Sequence, residues 1–226
     1  MPRTIIVGDV HGCRRELSEL LTEVGFQAGD RLVMVGDLVT RGPDPAGLVE
    51  LLLSVGARSV RGNHEDRLLR WRRRPERHLG PTHKVVVDAL KERHWVYLES
   101  LPLWLDLPEH GVRVVHAGLI PGVPIEKQDP RTLMYVRCLA QNGRPIEERG
   151  ETLWGTRYTG PPHVVFGHNA MSEPQIHEDA TGIDTGAVYG HRLTAMVLEE
   201  GQRVPPASER KSVLRSVQSK TVYAQM

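Results

Sequence analysis

Thr4-Ile5-Ile6-Val7-Gly8-Asp9-Val10-His11-Gly12 reads as a short strand of apolar and β-branched residues that breaks into a glycine-flanked carboxylate and imidazole. Outward from it, Arg14 to Val24 places Leu17, Leu20, Leu21 and Val24 at helical spacing and stops at Gly25. Arg31 to Val35 repeats the strand theme and ends at Gly36-Asp37. After a Gly/Pro-rich loop come a helix from Ala46 to Val55 and a short strand to Arg61, which ends at Gly62-Asn63-His64. Short apolar strands separated by helices predict βαβ units, hence an α/β fold with a largely parallel sheet covered on both faces.

The pattern changes farther along. Helices are predicted from Glu65 to Arg73, stopped by Pro75, and from His83 to Glu92. Leu103 to Leu107 and Val112 to Val115 read as a hairpin around Glu109-His110-Gly111, ending at His116-Ala117-Gly118. A helix from Thr132 to Leu139, a loop-rich insertion from Gln141 to Gly160 and a strand from His163 to Phe166 ending at Gly167-His168 follow. Ile183 to Leu198 holds two strand-like runs around Gly190-His191. Beyond Glu199 the chain is polar and without apolar periodicity, so a single domain over 1–200 with a polar, partly disordered tail over 201–226 is expected. The sequence contains no internal repeat or low-complexity tract.

Bulk properties narrow the function classes. A net charge of +1 over 226 residues argues against a polyanion binder acting through bulk electrostatics. Cys13 and Cys138 form no CxxC pair, which argues against a thiolate zinc site or a disulfide scaffold and fits a reducing cytoplasm. No apolar run approaches the roughly 20 residues that span a bilayer. The strand-like N-terminus leaves no room for a signal peptide, so a cytoplasmic protein without membrane partner is expected.

Five strand-like segments end in metal-type donors: Asp9 and His11, Asp37, Asn63 and His64, His116, and His168. Ligands of open α/β sheets bind beyond the carboxyl ends of strands, so these donors can share one site. Each motif alone is an ordinary turn or helix start, but a donor at every one of these ends is not ordinary. Carboxylate, amide and imidazole without sulfur suit Mn, Fe, Zn, Co or Mg.

Gly8-Asp9-Val10-His11-Gly12, Gly36-Asp37-Leu38-Val39-Thr40-Arg41-Gly42-Pro43, Gly62-Asn63-His64-Glu65, His116-Ala117-Gly118 and Gly167-His168 together resemble the signature of the calcineurin-like metallophosphoesterases, and within them the phosphoprotein-phosphatase branch. The resemblance covers about residues 4–198 in the family's order. It implies a four-layer fold, a central β-sandwich of two mixed sheets flanked by helices, with a dinuclear centre at one edge. Asp9, His11 and Asp37 would hold one divalent ion; Asp37, Asn63, His116 and His168 would hold the other, with Asp37 bridging. Mn2+ is the expected metal, with Co2+, Mg2+, Fe or Zn2+ as alternatives. The implied nucleophile is metal hydroxide, with no covalent intermediate. His64 would be the general acid, while Arg41 and Arg137 would grip phosphoryl oxygens.

Thr40 departs from the protein phosphatases of this branch, which carry Asp there to support the matching histidine. An alkoxide leaving group needs that supported proton; a phosphate leaving from an anhydride needs it less. The loop and Ile183-Asp184-Thr185-Gly186 also resemble bacterial symmetrical diadenosine tetraphosphatases, which implies cleavage of diadenosine tetraphosphate to two ADP. A small Ser/Thr or dual-specificity protein phosphatase acting on phosphoproteins is the alternative, and a non-catalytic scaffold a more distant one. Tyr158 and Tyr189 are candidates for holding adenine. The basic run Arg70, Arg72, Arg73, Arg74 and Arg77 reads first as a solvated helix face, and nucleic-acid binding is not expected. Cys13 reads as packing, and His78, His83, His94, His177 and His191 have no ligand spacing.

Overall fold

The computed structural model describes residues 2–76, 78–150 and 152–225. Strand β1 (Thr4–Val7) pairs in parallel with β2 (Arg31–Met34), and β2 with β3 (Arg58–Ser59). Helices α1 (Arg14–Glu23) and α2 (Pro45–Ser54) make the crossovers. The start of α2 follows from local chemistry: Asp44 accepts from the Gly47 amide at 2.8 Å, with Pro45 in the first turn. Helices α3 (Asn63–Arg73), α4 (Pro81–Ala89) and α5 (Glu92–Ser100) then lead to β4 (Trp104–Leu107) and β5 (Val112–Val115). After α6 (Pro130–Tyr135) come the small β6 (Cys138–Leu139) and β7 (Pro145–Ile146) pair, β8 (His163–Phe166), β9 (Gln175–Ile176), β10 (Ala180–Gly182), β11 (Arg192–Leu198) and β12 (Leu214–Gln218).

Two five-stranded mixed sheets result, ordered β12-β11-β1-β2-β3 and β4-β5-β8-β10-β9. The apolar runs of β1, β2, β5 and β8 make this possible because both faces of each strand are buried. Ile5, Val7, Leu32 and Met34 face the helical layer of α1 and α2. Ile6, Val33, Val114, Val165 and Met196 fill the space between the sheets. Val115, Val164, Phe166 and Trp154 form a third apolar layer on the far side. The β-sandwich of two mixed sheets flanked by helices is therefore present, and the parallel β1-β2-β3 unit expected from the strand and helix pattern is three of the five strands of one sheet.

Several elements differ from expectation for identifiable reasons. The helix expected from His83 to Glu92 is two helices. Leu90 is extended, and the Lys91 amide donates to His94 Nδ1 at 3.2 Å to start α5. The helix expected from Thr132 to Leu139 ends at Tyr135, because Val136 is extended and Cys138–Leu139 pairs with Pro145–Ile146. The first of the two runs expected within Ile183 to Leu198 lies earlier, at Ala180–Gly182, where it pairs with β8.

The polar segment after Glu199 is also structured. Leu214–Gln218 adds an edge strand to β11, and the buried Arg210 donates to the Pro205 and Glu178 carbonyls at 2.7 and 3.1 Å. Ser219 and Tyr223 donate to the buried Glu16 of α1 at 3.2 and 3.1 Å. A strand that satisfies its backbone against an existing sheet needs little apolar periodicity, which explains why it left no pattern. Among the described residues, no helix is long and apolar enough to cross a membrane.

Candidate metal centre

The carboxyl ends of β1, β2, β3, β5 and β8 are laced together by short contacts. The His11 amide donates to the Asp37 carbonyl at 2.8 Å and the Gly167 amide to the His116 carbonyl at 2.7 Å. The His168 amide donates to Asp9 Oδ2 at 3.0 Å, and the His64 amide to Asp37 Oδ1 at 3.1 Å. The sharp turns are strained: His11, Asp37, Thr40, Arg41 and His168 have φ of 45°, 49°, 79°, 65° and 66°. Left-handed backbone costs a non-glycine residue about 1–3 kcal/mol and persists where the surroundings enforce it. Among the described residues, these are all the non-glycine residues with positive φ.

Glu65 does much of the enforcing. Its buried carboxylate accepts from the amides of Asp37, Gly62, Leu38 and Val39 at 2.9, 3.0, 2.9 and 3.2 Å. Burial and the Asp37 charge push its carboxyl up to about 7, against the pull of those donors. Glycine is required at Gly62, where any Cβ would collide with Asp37 Oδ1 and the Asp37 amide.

Asp37 is the centre of the arrangement. Its Oδ2 lies 3.4 Å from His116 Nε2, 3.6 Å from His11 Nε2 and 3.9 Å from His64 Nε2. Asn63 Oδ1 lies 3.0 Å from both His116 Nε2 and His168 Nδ1. Two triples, His11–Asp37–His64 and Asp37–His116–His168, each bring one donor atom per residue within 4.8 Å of the others. Asp37 belongs to both. Asp9 is in neither; it faces the His168 amide and the carboxyl of Asp184.

Charge follows burial. Burial pushes His11 down to about 4, His64 down to about 3 and His168 well below the usual imidazole range. Burial also raises Asp9 and takes Asp184 up to about 6, as expected for carboxyls crowded beside Asp37. Burial opposes the charge of Asp37, but the neighbouring His116 and His64 hold it well below the usual carboxylate range.

A family model for calcineurin-like phosphoesterases matches residues 2–195. The chain belongs to the calcineurin-like phosphoesterases. It is 32% identical to the asymmetrical bis(5'-nucleosyl)-tetraphosphatase PrpE of Oceanobacillus iheyensis, over 90% of this chain and 91% of that protein. A crystal structure of a provisionally named diadenosine tetraphosphatase superposes with a TM-score of 0.84 at 36% identity, covering 97% of this chain and 96% of the other. A protein serine/threonine phosphatase from Saccharomyces cerevisiae shares the fold at 16% identity, with a TM-score of 0.63 over 98% of this chain and 80% of that one. Membership makes the chain a hydrolase and implies divalent metal ions.

The residues present fit such ions. His116 Nδ1 lies 2.9 Å from the Val35 carbonyl, which can only accept, so Nδ1 carries the proton. Its Nε2 then faces the oxygens of Asn63 and Asp37, acceptors that either a second ring proton, which the Asp37 charge favours against the cost of burial, or a metal cation would satisfy. His11 repeats the device more loosely, with Nδ1 3.3 Å from the Val39 carbonyl and Nε2 toward Asp37. Fixing the tautomer through a backbone carbonyl is the usual support of a metal-ligating imidazole.

The other expected residues are distributed around the same cleft. Arg41, Arg137, His64 and Tyr189 line it with Asp184. Arg41 donates to the Tyr189 hydroxyl, and its guanidinium lies 5.5 Å from the ring centroid. Arg137 donates to the Glu147 carbonyl at 2.9 Å. Thr40 Oγ1 lies 2.7 Å from His64 Nδ1, so the residue read as a departure from the protein phosphatases does contact His64.

Tyr158 is a correction. It is buried against Trp154, with its hydroxyl donating to the Pro162 carbonyl at 2.7 Å, and it does not line the cleft. Among the described residues, the basic run reaches toward the site at its start, where Arg70 donates to the Tyr135 hydroxyl at 3.1 Å and the Tyr135 ring meets His168 edge-on. Arg72 instead pairs with Glu92 at 2.6 Å, and Arg77 lies outside the described residues. Cys13 is buried, which pushes its thiol up to about 12.

Sequence reasoning missed Glu65, Asp184 and Tyr135 as parts of the site. Glu65 had a signal: an acidic residue three positions after Gly62 at a helix start has capping-box spacing. Asp184 had one in its position beside a strand-like run. Tyr135 had none.

Proposed function

We propose that this chain hydrolyses bis(5'-nucleosyl) tetraphosphates through a pair of divalent ions, Mn2+ first among them, held by Asp9, His11, Asp37, Asn63, His116 and His168. Bound there, the ions supply Lewis acidity, water of lowered pKa and charge neutralisation at phosphorus. The remaining roles belong to the chain. Arg41, steadied by Tyr189, and Arg137 hold phosphoryl oxygens from two sides of the cleft. His64 gives its proton to the departing oxygen; because burial holds the free ring down to about 3, that proton has to arrive with the negative charge of the bound substrate.

What favours an anhydride is the partner of His64. The Thr40 hydroxyl at 2.7 Å orients the ring but brings no negative charge to stabilise an imidazolium. A nucleotide phosphate leaves without that help more readily than an alkoxide does. Thr40→Asp is expected to raise turnover of a phosphoserine peptide relative to the tetraphosphate about ten-fold, within the range of general acid catalysis. An unchanged ratio in paired kinetic assays would remove the leaving-group argument.

For the position of the cut, the loop around Thr40 favours two ADP, whereas the relatives named as asymmetrical enzymes favour ATP and AMP. Likeness over nine-tenths of both chains outweighs likeness in one loop, so the asymmetrical cut is our reading. Hydrolysis of diadenosine tetraphosphate in 18O-water with Mn2+ tests it. ATP and AMP are the expected products. Two ADP would restore the symmetrical cut.

A further inference from the structure

His83 has no ligand spacing in the sequence and lies on α4, outside the strand-end motifs. Its ring is nevertheless stacked on that of His64, with centroids 5.5 Å apart and planes within 4°. His11 meets the same His64 ring edge-on at 5.0 Å and 84°. Thr40 fixes Nδ1 of His64. The imidazole is thus held at one nitrogen, one edge and one face, and α4 supplies the face.

The stack is not explained by packing. His83 is buried, yet among the described residues its Nε2 has no hydrogen-bond partner, and its Nδ1 has only the Thr82 hydroxyl at 3.4 Å. An unpaired buried nitrogen costs about 1–3 kcal/mol, so an apolar residue would serve packing alone better. A flat ring parallel to His64 does what an aliphatic side chain cannot: it restricts tilting of the imidazole about the Thr40 hydrogen bond.

We propose that His83 is a positioning residue for the proton donor, its ring face holding His64 Nε2 toward the departing oxygen. The proposal rests on the assignment of His64 as general acid. Its consequence is selective. Loss of the face should slow substrates whose leaving group needs a proton and spare those whose leaving group does not. Affinity for the substrate should not change, because His83 does not line the cleft.

The test compares turnover of phenyl phosphate and 4-nitrophenyl phosphate by the Mn2+-loaded full chain carrying His83→Ala, His83→Leu or His83→Phe, with His64→Ala as reference. The 4-nitrophenyl to phenyl ratio of kcat should rise about ten-fold in His83→Ala and His83→Leu, with KM unchanged. His83→Phe, which restores a flat face, should return the ratio to within about two-fold of the parent. Leu fills the volume without a face, so a structural role would make Leu and Phe alike in thermal midpoint and in ratio. A ratio unmoved in Ala and Leu, or a Phe variant as impaired as Ala, overturns the proposal. If His64→Ala also leaves the ratio unmoved, the general-acid assignment falls with it. If His64→Ala raises the ratio alone, only the role of His83 falls.

Discussion

Asp37→Asn is expected to lower turnover of any phosphate substrate about a thousand-fold or more, equivalent to about 4 kcal/mol of transition-state stabilisation. Its Oδ2 lies within 3.9 Å of three imidazole nitrogens, and its Oδ1 accepts from the His64 amide. A carboxylate brings a full negative charge to the place where the cations would be held; an amide brings none, and its NH2 group opposes a metal. That NH2 can donate to the exposed lone pairs of His11 and His116 instead, so the variant should fold. The expected result is a thermal midpoint within a few degrees of the parent and fewer metal ions per chain by elemental analysis. Turnover above a tenth of the parent value would show that Asp37 does not carry the site.

Glu65→Gln should act on stability as well as on rate. The carboxylate accepts from four backbone amides, and it is fully buried. Glutamine keeps one acceptor oxygen and turns its NH2 group toward the remaining amides, which places donors against donors. Loss of such a buried acceptor, read well above pH 7 where a carboxyl raised to about 7 is ionised, costs about 3 kcal/mol or more. For a chain of 226 residues, about 2–4 °C per kcal/mol puts the fall in thermal midpoint near 6–12 °C. The strained φ of Asp37, Thr40 and Arg41 is then no longer enforced, and turnover should fall together with stability. A midpoint within 2 °C of the parent, read by calorimetry, would mean that other contacts hold the loop.

How much of this was legible in the sequence depends on the range of the interaction. The β1-β2-β3 unit was readable because apolar runs, glycine stops and helical leucines are local signals. The second sheet was visible only as a hairpin and an isolated strand. The parallel pairing of β5 with β8 joins residues just over fifty positions apart, such as Val112 and His163, and leaves no periodicity of its own. Strand β12 went unread for the same reason, whereas the break between α4 and α5 is local, set by extended Leu90 and the Lys91 amide on His94, and carries no proline or glycine to mark it.

The candidate donors could be grouped from the sequence because each follows a strand, and the structure brings them to one edge of the fold, with Asp9 outside the two donor triples. Their supports were less legible. Glu65 reads as a helix cap until its partners in the next loop are known, and His83 reads as a spare histidine until α4 is placed against His64. Tyr158, chosen by residue type alone, is part of the far core.

The most direct measurement is the specificity constant for diadenosine tetraphosphate and for a phosphoserine peptide, side by side in Mn2+, with Asp37→Asn as the blank. A large preference for the dinucleotide, absent in the blank, is the predicted result. A preference for the peptide would leave the metal centre in place and contradict the substrate reading built on Thr40 and His64.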